Sequence, residues 1–282
     1  MKYLVVLLIV ILFVSCAKNN TPNGNDPCAK NITSNYNNDY WSCEQLLDTA
    51  GLKLYPFVPL TEEERLENPF YIMEELRQIP EDFLCEMTVK ELFYQFVNIE
   101  VNFTIFVVYN IYVTSRQLGF IELTKRLNML PELLNRPDAG HVLLGLLQKA
   151  DPRIKEESAC FKWFFFLQMI LSQREIINLM TDEEIDNYVF ELLRCHNTIR
   201  CLQKSDSEQW GGYPAGLHEI LSGLANVMIK CEFEPFIQTM VSRPVTDDLY
   251  WSAGNIKAED ALQIINYIEQ FIKNRKKWEK YF

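Results

Sequence analysis

Three times along this chain a threonine is followed, three residues later, by a glutamate. The motifs are Thr61-Glu62-Glu63-Glu64, Thr88-Val89-Lys90-Glu91 and Thr181-Asp182-Glu183-Glu184. In such a capping box the hydroxyl takes the amide of the third helical residue, and the carboxylate reaches back to the threonine amide. Acidic residues in the first turn also suit the helix dipole. Pro80, Pro131 and Pro214 stand where further helices would begin, at positions whose missing N–H costs nothing. Apolar residues then recur every three or four positions. Ile185, Val189, Leu192, His196 and Ile199 make one stripe; Ala258, Ala261, Leu262, Ile265, Ile268 and Ile272 make another.

These signals predict an all-α chain with helices near 41–50, 61–78, 81–86, 88–98, 100–116, 119–128, 131–136, 138–149, 156–173, 181–203, 214–230, 234–242 and 257–278. The β-branched residues Val101, Thr104, Ile105, Val107 and Val108 make 100–116 the place where a strand would be hidden. Only 10 Gly and 12 Pro in 282 residues argue against a turn-rich β-sandwich. A 48% hydrophobic content excludes a disordered chain, and a net charge of −11 repels a phosphate backbone, so no nucleic-acid partner is expected. No exact internal repeat is visible. The expected fold is an irregular multi-helix array, solenoid-like or closed into a helical globule.

The first residues read as an address. Met1-Lys2 is followed by the 12 apolar residues Tyr3 to Val14, then by Ser15 and Cys16. That is the pattern of a secretory signal, too short for a lasting membrane span, which needs about 20 residues. Phe13-Val14-Ser15-Cys16 resembles a bacterial lipobox, so residues 1–15 are expected to be removed and Cys16 to carry acyl chains (diacylglycerol, palmitate). Two or three chains anchor far better than one, at about 0.8 kcal/mol per buried methylene. Residues 16–39 follow as an Asn-rich linker with too little apolar surface to order itself. A single helical domain is expected over 40–282. The implied location is the bacterial cell envelope, on a lipid anchor in the outer membrane. The lack of an acidic cluster directly after Cys16 favours the periplasmic face.

Three stretches carry a resemblance: Ile79-Pro80-Glu81-Asp82-Phe83-Leu84 with Met87-Thr88 and Leu92; Gln117-Leu118-Gly119-Phe120; and Leu127-Asn128-Met129-Leu130-Pro131-Glu132-Leu133-Leu134-Asn135-Arg136-Pro137-Asp138-Ala139-Gly140. Over roughly residues 55–145 the chain resembles a family of uncharacterised all-helical Bacteroidota lipoproteins. It departs from that family at 96–100, where only Asn98 matches a Cys-Leu-Asn-Tyr-Pro run. The resemblance implies compartment and helical fold and brings no catalytic residues. Read from the residues alone, Arg136 and Asp138 flank Pro137 between two helices, placed to pair or to cap the next one.

Motifs that carry chemistry are few. There is no Gly-x-Ser-x-Gly elbow, P-loop or dinucleotide glycine pattern. His218-Glu219 opens a zinc-protease pattern, but position 222 is Ser. His141 and His196 read as core histidines. Cys195, His196, Cys201 and His218 match no standard zinc spacing, so no metal or cofactor is expected. Cys28 and Cys43 are spaced to close a loop, Cys195 and Cys201 are too far apart on one helix to pair, and Cys85, Cys160 and Cys231 read as small core residues. The most site-like segment is the loop Gln209-Trp210-Gly211-Gly212-Tyr213-Pro214-Ala215-Gly216-Leu217-His218, where Trp210 and Tyr213 would stack on a ligand beside His218. A second aromatic loop runs Asp247-Asp248-Leu249-Tyr250-Trp251. The reading that follows is a lipid-anchored, non-enzymatic binding or scaffold module with a protein or glycan partner. The alternative is a glycan- or peptidoglycan-directed hydrolase with a carboxylate pair in an aromatic groove.

Overall fold

The structure, a computed structural model, describes residues 40–65, 75–99, 120, 123–153, 159–205, 217–241 and 258–275. The signal segment, Cys16, the linker, the segment 100–116, the loops around Trp210 and Trp251, and the basic terminus after Arg275 lie outside the described residues. Of the described residues 74% are helical, and none forms a strand. They make twelve α-helices and one π-helical turn. The helices are α1 Cys43–Leu47, α2 Glu62–Arg65, α3 Glu81–Glu86, α4 Val89–Val97, α5 Met129–Asn135, α6 Ala139–Lys149, α7 Ala159–Leu171, α8 Arg174–Leu179, α9 Asp182–Ser205, α10 Leu217–Lys230, α11 Glu234–Phe236 and α12 Ala258–Asn274; the π turn Ile237–Val241 continues α11. Among the described residues no helix is long and apolar enough to cross a membrane.

All three capping boxes form. Thr61 Oγ1 accepts from Glu64 N, Thr88 Oγ1 from Glu91 N, and Thr181 Oγ1 from Glu184 N, while each glutamate takes the threonine amide in return. The stripe from Ile185 to Ile199 is buried along α9, His196 included. On α12 the true stripe is Ala261, Ile264, Ile268, Phe271 and Ile272, and Leu262 is 57% exposed. Leu262 sits one helical step from Ala261, about 100° round the helix, and that rotation carries it off the core face.

Several expected boundaries move. Helix α5 starts at Met129 rather than Pro131, so the proline falls inside the first turn, where its ring still meets no helical donor. The expected helix 156–173 is α7, which ends at Leu171; Ser172 and Gln173 then turn the chain into α8, Arg174–Leu179, a helix that the sequence signals do not predict. Gln173 is extended, φ −71° and ψ 140°, which breaks the helical ladder. Of 61–78, only Glu62–Arg65 is described as α-helix.

Helix α7 organises the interior. Trp163, Leu167, Ile170 and Leu171 are all fully buried, and α7 packs on α1, α4, α6 and α10. Each such side chain contributes roughly 1.5–3 kcal/mol of burial. Trp163 meets Phe93 edge-on at 5.5 Å between ring centroids, and Phe166 meets Phe96 at 4.7 Å. Helices α9 and α10 approach most closely at Gly223. A Cβ there would lie 2.6 Å from the Tyr188 hydroxyl and 2.9 Å from Leu192 Cδ1, so only glycine lets the two helices meet.

Candidate functional site

Of the residues singled out as a ligand loop, Trp210 and Tyr213 lie outside the described residues, as does Cys16. His218 lies in the first turn of α10, with its side chain outside the description; its neighbour Glu219 is buried. The remaining histidines separate. His196 is buried, and loss of solvation pulls its imidazole down to about 4, so it is neutral at ordinary pH. His141 is not a core residue: its side chain is 78% exposed, and Nδ1 lies 3.0 Å from Glu184 Oε1.

The cysteines depart further from expectation. Cys160 is not a free core thiol but is bonded to Cys43, with Cα atoms 5.7 Å apart and 117 residues between them in sequence. Cys43 therefore takes Cys160 as its partner rather than Cys28. Cys85 is exposed rather than core, and Cys231 is half-buried with Arg275 Nη1 at 3.4 Å from its sulfur. Cys195 is buried, and desolvation pushes its thiol up to about 12, which leaves it unreactive as a nucleophile. Among the described residues no group of three or more His, Cys, Asp or Glu is placed to hold a metal.

Close to Cys195 lies an interior that is polar without being paired. Gln168 on α7 is 1% exposed, and neither its amide nitrogen nor its carbonyl oxygen has a hydrogen-bond partner of ordinary geometry, the nearby Cys195 thiol being at best a weak one. The Tyr188 hydroxyl and the Ser222 hydroxyl are buried and unpaired as well. Burial raises the Tyr188 phenol far above its ordinary range, so it stays protonated.

Basic side chains are directed to helix ends. Arg136 does not cap the helix after it. It turns back to the carbonyl oxygens of Leu84, Cys85 and Met87 at the end of α3 and pairs with Glu132 at 2.8 Å. Asp138, at the N-cap of α6, makes no capping bond. Lys162 reaches Ile99 O at 3.2 Å, and burial lowers its ammonium. Lys230 binds the carbonyls of Ile177, Asn178 and Met180 at the end of α8. The last carbonyls of a helix lack internal donors and carry partial negative charge, so each cation satisfies several at once.

The best-built feature is the point where the chain enters the folded body. Tyr40 lies against the Arg194 guanidinium, 5.0 Å from ring centroid to Cζ, and its hydroxyl accepts from Arg194 Nη1 at 3.0 Å. The same arginine pairs with Glu191 and donates to the carbonyls of Leu147 and Ala150 at the end of α6. Trp41 N donates to Lys149 O at 2.9 Å, with Lys90 over its ring. Ser42 caps α1, and Cys43 is bonded into α7. The next residues cross α4 as a strap. Tyr94 Oη donates to Leu46 O, Lys53 N to Glu91 Oε1, and Tyr55 N to Gln95 Oε1, while Gln95 Nε2 donates to Tyr55 O. Burial pushes the Glu91 carboxyl up, but the amides of Thr88 and Lys53 outweigh it and leave it below its ordinary value. No sequence signal paired Cys43 with Cys160, because spacing alone cannot assign a bridge.

The chain matches no family model and no curated protein, and no solved structure matches its fold.

Proposed function

We propose that this protein is an exported, lipid-anchored module of the bacterial envelope that works by binding or scaffolding rather than by catalysis. The observation that carries this reading is the Cys43–Cys160 bond. Structural disulfides form and persist in oxidising compartments, outside the cytoplasm. The bond supports export independently of the N-terminal signal. It also sits where mooring is needed: Cys16 lies 24 residues before Tyr40, and the chain is locked onto the body from Tyr40 onward.

The polar groups with known partners support the binding half of the reading. Glu91 and Glu184 close capping boxes, Glu191 holds Arg194, and Arg136, Lys162 and Lys230 hold helix ends. These side chains hold the frame, which leaves the surfaces between helices for a partner, protein or glycan. The periplasmic face of the outer membrane is the proposed location.

Detergent phase partition tests the anchor. The full chain made in a bacterial host should enter the detergent phase with labelled fatty acid on it, and Cys16→Ala should move it to the aqueous phase unlabelled. Unchanged partition would reject the anchor. Incubation of the body, residues 40–282, with purified peptidoglycan tests the second half. Release of soluble fragments would reject the non-enzymatic reading and favour a hydrolase.

A further inference from the structure

We infer that the described parts of residues 80–172 and 173–275 are two copies of one helical unit, and that the strap from Tyr40 to Leu60 takes, on the first copy, the place that the first copy takes on the second.

From the opening residue to the capping glutamate the correspondence runs at an offset of 93 residues, and the cations described below stand 94 apart. Each unit opens with an extended residue, Pro80 (φ −54°, ψ 140°) or Gln173 (φ −71°, ψ 140°). A six-residue helix follows, α3 or α8, and ends on an extended methionine, Met87 (φ −71°, ψ 138°) or Met180 (φ −68°, ψ 140°). The methionine amide donates to Leu84 O or Ile177 O, 3.2 Å in both. A threonine capping box then starts the next helix, Thr88 with Glu91 or Thr181 with Glu184. The cations match as well. Arg136 takes the carbonyls of Leu84, Cys85 and Met87; Lys230 takes those of Ile177, Asn178 and Met180, the same three positions. Helix order continues the match, and α4 packs on α5 as α9 packs on α10 and α6 on α7 as α11 on α12; the units differ further on, where α7 turns back onto α4 and α12 onto α10.

The two units differ in what precedes them. In the second, Glu184 Oε1 faces His141 Nδ1 on α6 of the first unit at 3.0 Å. In the first, the equivalent oxygen, Glu91 Oε1, accepts from Lys53 N of the strap at 2.7 Å. The strap thus stands in for a missing earlier unit, and the disulfide fastens it to the last helix of the unit it covers. At the other end α12 exposes Asn266, Glu269, Gln270, Lys273 and Asn274. A repeat array needs polar or covered ends, since each unit otherwise offers its neighbour-binding face to another molecule. Here a polar helix closes one end and the strap closes the other.

Two experiments on the full-length mature protein test this. In the first, Arg136→Met and Lys230→Met are followed by amide hydrogen exchange. Arg136→Met should raise exchange about tenfold over 84–97 and leave 177–192 unchanged, and Lys230→Met should do the reverse. Arg136→Lys and Lys230→Arg should keep protection. Loosening of both units by either variant, or failure of the conservative exchanges, would overturn the two-unit reading. In the second, Cys43→Ser, Cys160→Ser and Gln95→Ala are combined. The amides of Lys53 and Tyr55 should lose protection, and exchange over 84–97 of the first unit should rise with them, while 177–192 of the second unit stays unchanged. A freed strap that leaves exchange over 84–97 unchanged would overturn the capping role. Should the triple variant not fold, the same readouts apply to the unaltered protein after reduction.

Discussion

Replacing Cys43 and Cys160 together by serine should cost more stability than any other surface-neutral change in this chain. The bond spans 117 residues. In the chain-entropy account, closing a loop of that length removes about 16 cal/mol/K from the unfolded ensemble, or about 5 kcal/mol at 25 °C. Measured effects of native bridges run at about 2–5 kcal/mol, so the expected loss lies in the upper half of that range. The native state adds little strain relief to offset it, since the Cα separation of 5.7 Å is that of an unforced bridge. For a body of this size each kcal/mol moves the melting temperature by about 2–4 °C, which predicts a fall of about 7–20 °C. Urea titration of the body, residues 40–282, with and without the double substitution would measure it directly. The midpoint should drop, and the slope should steepen as the unfolded chain expands. The unaltered protein under reductant should match the variant. A loss below about 1 kcal/mol would mean that the strap is ordered to the same degree in the unfolded ensemble, and would refute the loop-entropy reasoning.

Other changes should act through different physics. Gln168→Met should stabilise by about 1–3 kcal/mol in thermal melts, because both amide atoms are buried without a proper partner and the thioether fills similar volume; a destabilised variant would show that the amide holds a buried polar partner. Gly223→Ala should destabilise by about 1–3 kcal/mol, since its Cβ would sit 2.6 Å from the Tyr188 hydroxyl, and Tyr188→Phe should recover part of the loss. Acid should unfold the body partly through His196. Its imidazole is at about 4 folded and 6.5 unfolded, so the unfolded state binds the extra proton, and about 3 kcal/mol should be lost as pH falls from 6.5 to 4. Glu91 and Glu184, both held below their ordinary values, add to that loss as pH falls further. His196→Gln should flatten the upper part of the profile, and an unchanged profile would deny His196 its role.

The parts of the fold legible in the sequence are those set by neighbours in sequence. Thr61, Thr88 and Thr181 cap as expected because a capping box needs only four consecutive residues. The α9 stripe is buried as expected because its period is local. What was hidden depends on distant partners. Arg136 looked placed to serve the helix after it, yet its carbonyls are about fifty residues upstream. Cys160 looked like a small core residue until α1 brought Cys43 against it. The two units share little side-chain identity beyond Met-Thr-x-x-Glu before an apolar residue, at 87–92 and 180–185. Three identical positions, Met, Thr and Glu, do not declare a repeat; the equivalent carbonyls and their cations do. The ligand loop around Trp210 and Tyr213 had the strongest local pattern of a site, and it lies outside the described residues.

The same long-range cations bear on how the body would sit near a membrane. The chain has 27 basic and 38 acidic residues. Arg136, Arg194, Lys162 and Lys230 turn toward helix ends at the junctions between helices, and Arg275 lies against Asp186 at 2.9 Å. Acidic residues meanwhile line helix starts that face outward, as at Glu62, Glu63, Asp182 and Glu183. An anionic lipid surface would repel such a body over roughly one Debye length, about 8 Å at physiological salt. On the proposed reading, lipid at Cys16 and repulsion at the body act against each other. On that reading the 23 residues between Cys16 and Tyr40, as the coil their Asn-rich composition predicts, would set a standoff of about 24–29 Å. A tether of that length would keep the proposed module within reach of envelope partners while its acidic faces stay clear of the bilayer.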